Sequence, residues 1–444
     1  MHAVEFKNVT FVYERSKILD NISFCIEKGD FVSIIGRNGS GKSMLARHVN
    51  GLLLPTSGDV FVNGMNTKDK SKIYDIRQKV GLTFQNPDNQ IVAGTVEEDA
   101  AFGLSNLGIP RDLMRKKIND ALESLGISQY KTSDVDNLSG GTKQKLILAG
   151  ALAMGAECLV LDEPTSMLDP ESCRVVMDEL IRLNQLGITI ILLTHHMNEA
   201  KLARKIFVLD SGKLVAKGTK DTIDEKYLQD ADFSSMFFNE EKSKKCVLEF
   251  KNVSFKYDGA DKYIINKLNF KIHENEVMNI TGPTGTGKST IAKLTKGMIS
   301  PDSGEIFFDG EKANRKILNE KVGIVFQFPE NQLFEDTVIK DVMFGPRNLG
   351  FSEKLCIEKS LWALELIGFN KDKINCSPFS LSGGEQRLVA IAGIIAMEHK
   401  VIVLDEPTAG LDVPTCNRFF KAINKLRMNR SIMIISHSHQ TGTI

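Results

Sequence analysis

Two eight-residue runs, "GRNGSGKS" from Gly36 to Ser43 and "GPTGTGKS" from Gly282 to Ser289, each follow a short apolar stretch. They share one spacing of glycine, lysine and hydroxyl residue. Gly36, Gly39 and Gly41, like Gly282, Gly285 and Gly287, let backbone N–H groups turn inward around an anion, and Asn38, Ser40, Thr284 and Thr286 complete the two loops. Lys42 and Lys288 then set a cation against the β- and γ-phosphates of a nucleotide, while Ser43 and Ser289 offer hydroxyls to Mg²⁺. At ordinary glycine usage such a pattern arises at a given position on the order of a few times in 100,000. Two occurrences 246 residues apart are therefore a site written twice.

Downstream, the apolar runs "CLVLDE" and "VIVLDE" end in paired carboxylates, Asp162–Glu163 and Asp405–Glu406. Neighbouring acids at a strand end face different directions, so one can serve a metal shell while the other addresses an attacking water. Asp162 and Asp405 are assigned to Mg²⁺, and Glu163 and Glu406 to the base of nucleotide hydrolysis. A third element, "LSGG", opens two apolar helical stretches with Ser139, Gly140 and Gly141 and with Ser382, Gly383 and Gly384. A glycine-opened helix start gathers free N–H groups and the positive end of the helix dipole, which suits a phosphate.

The elements that position these groups repeat as well. "HAVEFKNVTFVY" at His2 returns as "CVLEFKNVSFKY" at Cys246, and the other landmarks keep displacements of 242 to 246 residues. The chain reads as two tandem domains, 1–219 and 246–444, with a charged linker over 220–245. Short apolar runs of strand length alternate with helix-spaced stretches, which predicts an α/β fold with a mostly parallel sheet in each copy. Met114, Ile118, Ala121, Leu122 and Leu125 make one apolar helical face in an insert before the first "LSGG". Leu361, Trp362 and Leu364, in the matching region of the second copy, read as ordinary core.

Composition excludes several classes. Lys plus Arg and Asp plus Glu both number 56, so no net field recruits nucleic acid or an acidic membrane surface. The longest apolar runs are too short to span a bilayer, and the N-terminus lacks a signal segment. Seven scattered cysteines without a CxxC pair suggest packing thiols in a reducing compartment, not disulfides or zinc. The expectation is a cytosolic chain, peripheral to a membrane at most.

Phosphate loop, "LSGG" and "LDEPT" in this order resemble the nucleotide-binding domains of ABC ATPases, across nearly the whole chain and twice. The resemblance implies two tandem P-loop NTPase domains with helical inserts, binding ATP and Mg²⁺. It further implies adenine stacking by Tyr13 and Tyr257, contact of Gln85 and Gln327 with Mg²⁺ and water, and γ-phosphate holding by His195 and His437. Asp169 and Asp412 take interface roles. In that family the "LSGG" of one domain caps the ATP held by the other, so Ser139, Gly140 and Gly141 complete the site of Lys288, and Ser382, Gly383 and Gly384 that of Lys42. The pairing forms within one chain or between two.

The stretches "FQNPDNQIVAGTVEEDAAFGLSNLGIP" and "FQFPENQLFEDTVIKDVMFGPRNLG" are similar to the ATPase subunits of energy-coupling factor transporters, importers of vitamins and metal ions. That likeness implies two membrane partners, an integral transport subunit (the T component) and a substrate-binding subunit, at the cytoplasmic face of the membrane. Nucleic acid is not expected as a partner. Ile91, Val92, Leu333 and Phe334 then line grooves that receive short helices of the membrane subunit. The competing reading is a soluble tandem ATPase acting on ribosomes or nucleic acid, which the balanced charge and absent zinc cysteines disfavour. There are three departures from the family pattern: Thr142 stands for an expected Glu, His196 for an Asp, and the second copy is expected to lack counterparts of the last strands of the first.

Overall fold

The computed structural model describes residues 2–13, 16–166, 168–224, 227, 245–282, 285–326, 332–408, 411 and 413–436. Thr284, Gln327, Asp412, His437 and most of the 220–245 segment lie outside them. The chain divides into two compact units, 1–230 and 231–444.

In the first unit, β1 (His2–Tyr13), β2 (Ser16–Glu27), β4 (Ser57–Val62) and β5 (Met65–Asn66) form an antiparallel sheet in the order β2-β1-β4-β5. A second sheet has the order β10-β9-β3-β8-β7-β6, from β3 (Phe31–Ile35), β6 (Val80–Thr83), β7 (Cys158–Asp162), β8 (Thr189–Thr194), β9 (Lys205–Asp210) and β10 (Lys213–Gly218). All its neighbours are parallel except β9 and β10. Every residue of β3, β7 and β8 is buried, which is why these runs are mostly apolar and show no alternation. Register aligns their ends, Ile35 opposite Thr194 and Asp162 opposite Leu193. The loops after these strands therefore open at one edge, the carboxyl end of the sheet, where ligands of such folds bind.

Helices α1 (Lys42–Val49), α2 (Ile73–Lys79), α6 (Pro170–Gln185) and α7 (Met197–Ala200) accompany the sheet, and α3 (Val96–Asn106), α4 (Arg111–Ser124) and α5 (Gly140–Met154) make the insert. A capping box of Thr95 and Glu98 starts α3. The expected apolar face is present on α4, where Ile118, Ala121, Leu122 and Leu125 are buried and Met114 packs at the margin of the core.

The second unit repeats this plan. Its antiparallel sheet, β12-β11-β14-β15, comprises β11 (Cys246–Phe255), β12 (Ile265–His273), β14 (Ser303–Phe308) and β15 (Glu311–Lys312). The parallel sheet, β13-β18-β17-β16, comprises β13 (Val277–Thr281), β16 (Val322–Val325), β17 (Val401–Asp405) and β18 (Ser431–Ser436). Helices α8 (Lys288–Lys296), α9 (Arg315–Lys321), α10 (Val338–Asn348), α11 (Glu353–Leu366), α12 (Gly383–Ala396) and α13 (Val413–Leu426) follow the first unit's order. Among the described residues nothing corresponds to β9 and β10, and β13 is half-buried along most of its length where β3 is buried.

One core assignment is corrected here. Leu361 and Trp362 are 42% and 43% exposed. The buried stripe of α11 is Cys356, Ser360, Ala363 and Leu364, and the helical repeat turns Leu361 and Trp362 away from it.

Candidate active site

Gly39 and Gly41 have φ of 76° and 102°, and Gly285 and Gly287 of 81° and 91°, a left-handed backbone that glycine adopts without steric cost. This conformation leads the chain directly from each loop into a helix, α1 or α8. The lysine side chains are buried and fold back over the loop. Lys42 Nζ donates to the carbonyls of Gly36 at 2.7 Å and Arg37 at 3.2 Å, and Lys288 Nζ to that of Gly282 at 2.6 Å. Each loop thus carries a buried cation beside a helix N-terminus, the combination that a polyphosphate requires.

Asp162 ends β7 beside the loop. Burial pushes its carboxyl up to about 6, against the opposing hydrogen bond from Ser43. Asp405 is raised in the same way, again against a bond from Ser289. The next residues, Glu163 and Glu406, both have φ of 51°, which costs an L-residue about 1–3 kcal/mol. Bonds from Glu163 N to Leu193 O at 2.8 Å and from Glu406 N to Ile435 O at 2.9 Å hold that turn. It separates the directions of the two acids. Asp162 points to Ser43, whereas Glu163 faces His195 and Gln85.

Around Glu163 the geometry is tight. Its Oε1 lies 3.0 Å from His195 Nδ1 and 3.8 Å from Lys42 Nζ, and its Oε2 accepts a bond from Gln85 Nε2 at 3.2 Å. Burial raises this carboxyl, but the charge and hydrogen bond of His195, with Lys42, outweigh it and hold Glu163 down at about 2. His195 responds in the opposite sense: burial disfavours its charge, yet Glu163 raises its pKa. The His196 ring lies tilted at 4.1 Å from His195 and is lowered to about 3, first by burial and then by its neighbour's charge. The fold thus gathers Lys42, Ser43, Gln85, Asp162, Glu163 and His195 at one site. One further residue also bears on it and carries no signal in the sequence: Glu199, four places after His195, whose charge acts on that histidine.

The remaining expected residues sit farther out. Tyr13 is exposed at the end of β1, and Tyr257 is half-exposed with its hydroxyl 3.2 Å from Thr290 Oγ1 on α8. Ser139 caps α5 by accepting from Thr142 N at 3.3 Å, and its hydroxyl pairs with that of Thr142 at 2.9 Å. Ser382 caps α12 in a capping box with Glu385, and Lys373 meets that carboxylate at 2.7 Å. Asp169 caps α6 through the N–H groups of Glu171 and Ser172.

The loop beyond Gln85 alternates inward and outward. Asp99 Oδ1 accepts from Val92 N at 2.9 Å and Ala93 N at 3.3 Å, and Asp341 Oδ2 accepts from Phe334 N and Glu335 N at 2.9 Å each. Anchored in this way, Val92 and Phe334 are 62% and 55% exposed, while Ile91 packs against the core. Leu333 is buried in the core of the second unit, so the expectation that it lines a docking groove is wrong.

Phosphate cradle, hydroxyl, buried Asp and paired Glu at the carboxyl edge of a parallel sheet define a nucleotide triphosphatase of the P-loop kind. The ABC transporter family model matches residues 19–166 and 265–409, and the chain belongs to that family as one of its ATP-binding, ATP-hydrolysing proteins. A provisionally named ABC transporter ATP-binding protein of Bifidobacterium longum is 33% identical over 493 residues, which take in 98% of this chain and 63% of that protein. The chain thus spans less than two thirds of that relative's length. The energy-coupling factor transporter ATP-binding protein EcfA1 of Caldanaerobacter subterraneus is 51% identical over 222 residues, 49% of this chain and 80% of that protein. A provisionally named HMP/thiamine import ATP-binding protein of Bacillus subtilis, YkoD, is 33% identical over 97% of this chain and 86% of its own. Among the described residues no helix is long and apolar enough to cross a membrane.

Proposed function

We propose that the chain is the energy-coupling ATPase of an importer of the energy-coupling factor type, driving uptake of a vitamin or metal ion through a separate integral membrane subunit and a substrate-binding membrane subunit. Its place is then the cytoplasmic face of the membrane, as a peripheral protein. The observation that carries this reading is the loop after Gln85. At one end it bonds the base Glu163, and at the other it presents Val92 to an open groove of about 380 Å³ lined also by Leu52, Phe84, Phe102, Ile147 and Met154. In the second unit Phe334 is exposed and meets the partly exposed Phe344 edge-on at 4.6 Å. The half-chain likeness to an energy-coupling factor ATPase and the full-chain likeness to an import ATPase support the same conclusion. Cells deleted for the chain should lose accumulation of one labelled vitamin or metal ion in an uptake screen. Unchanged uptake of all of them would sink the importer reading.

In the chemical step, Lys42 and His195 are the groups that can leave Glu163 for the γ-phosphate of ATP. When they do, Glu163 loses the cations that hold its carboxyl low, and its pKa rises towards the range in which it accepts a proton from water. Ser43 with Asp162, and Ser289 with Asp405, pair a hydroxyl with a buried carboxylate, a hard-oxygen set that suits Mg²⁺. We assign Gln85 and Gln327 to the same set. An Mg²⁺ ion held there would supply charge neutralisation to the phosphates. Tyr13 and Tyr257 are assigned to the adenine.

Ser139, Gly140 and Gly141 are assigned to the nucleotide held by Lys288, and Ser382, Gly383 and Gly384 to that held by Lys42. Ser139→Arg should then impair nucleotide trapping at Lys288 and spare Lys42, with Ser382→Arg giving the mirror result. Loss at the phosphate loop of the same copy would contradict the assignment.

A further inference from the structure

Glu199 belongs to the four-residue helix α7, which follows His195 and His196. Its side chain is partly buried, an expensive position for a carboxylate without partners. It has two. Thr165 Oγ1 donates to Oε1 at 2.5 Å, and Thr194 Oγ1 donates to Oε2 at 2.9 Å. Both threonines are buried, at 2% and 0% exposure, so neither hydroxyl can turn to solvent instead.

These two threonines flank the reacting groups. Thr165 lies two residues after Glu163, in the turn where Ser166 N bonds back to Glu163 O at 3.2 Å. Thr194 directly precedes His195, and its Oγ1 also accepts from His196 N at 3.0 Å. A single carboxylate therefore ties the turn that carries the base to the strand end that carries the histidine, while Glu163 and His195 themselves meet at 3.0 Å. No bond from Glu199 to Gly36, Arg37 or Lys42 is present among the described residues. In the second copy the hydroxyls recur as Thr408 and Ser436, but the residue 242 places after Glu199 is Thr441.

We infer that Glu199 is a positioning residue for ATP hydrolysis in the first unit, fixing the distance between Glu163 and His195 by bridging Thr165 and Thr194. Charge-assisted bonds to two buried hydroxyls give it the stiffness for that task. A misplacement of about 1 Å remote from the chemistry can lower a rate on the order of 100-fold.

The inference rests on Glu163 acting as base, and a double-mutant cycle separates the two claims. In the full chain, Glu199→Ala should lower kcat for ATP by much of the loss that Glu163→Gln causes, with KM for ATP within about twofold. Added to Glu163→Gln it should lower kcat no further, since both act on one step. Glu199→Gln keeps the volume, accepts from one threonine and donates to the other, and should restore most of the rate. Wild-type kcat in Glu199→Ala, additive losses in the double variant, or equal losses in the Ala and Gln variants with a parallel rise in KM would overturn the positioning role. If Glu163→Gln itself left turnover intact, the base assignment would fail first, and the positioning role with it.

Discussion

Glu163→Gln combined with Glu406→Gln should reduce steady-state ATP hydrolysis by roughly 100- to 10,000-fold, the usual cost of removing a general base. Nucleotide binding should survive. The glutamines preserve volume, and the contacts that form the cradle come from elsewhere: the positive-φ glycines, the N–H groups that open α1 and α8, and Lys42 and Lys288 bonded to Gly36, Arg37 and Gly282. One effect favours binding outright. Lys42 lies 3.8 Å from Glu163 Oε1 and His195 lies 3.0 Å from it. Neutralising the carboxylate frees the Lys42 cation and the His195 ring for the phosphates. Filter binding of labelled ATP alongside phosphate release would show the split, and near-normal phosphate release would remove both glutamates from the mechanism.

The second large effect concerns coupling. Val92→Asp with Phe334→Asp should abolish solute uptake while ATP hydrolysis by the purified chain stays within about twofold of wild type. Both side chains are more than half exposed, so the substitutions leave the cores intact. If these side chains are covered by a partner's helix, by contrast, a carboxylate there would be buried as an unpaired charge. Leu333→Asp is the informative contrast. Leu333 is 6% exposed within the second unit's core, and its replacement should unfold the insert and cost ATP hydrolysis as well. Uptake assays beside soluble ATPase assays separate the three outcomes. Wild-type uptake by the Val92/Phe334 double variant would contradict the docking role.

Neighbouring residues of similar chemistry mark the limit of what the sequence carries. Apolar character at Leu333 and Phe334 is plain, but which of them faces out depends on Asp341 anchoring the loop from α10. Leu361 and Trp362 look like core for the same reason, and only the phase of the α11 stripe turns them outward. The phosphate loops and the Asp–Glu pairs were legible because the chemistry demands fixed residue types at fixed spacing, and the tandem repeat supplies a second, independent copy. The left-handed turn at Glu163 and Glu406 was not, since glutamate carries no local preference for it and the bonds to Leu193 and Ile435 come from a neighbouring strand. Glu199 stayed hidden because its partners, 34 and 5 residues away, lie in the turn after β7 and at the end of β8, which meet only once those strands pair.

The central claim, that this ATPase works on a membrane partner, is tested most directly by purifying the wild-type chain and the Val92→Asp, Phe334→Asp variant side by side from detergent-solubilised native membranes, with mass-spectrometric identification of what accompanies each. The account predicts that wild type retains integral membrane subunits in fixed proportion and that the variant loses them while still binding ATP. Recovery of the wild-type chain with ribosomes or nucleic acid in place of membrane subunits, or the same membrane subunits with both chains, would contradict it.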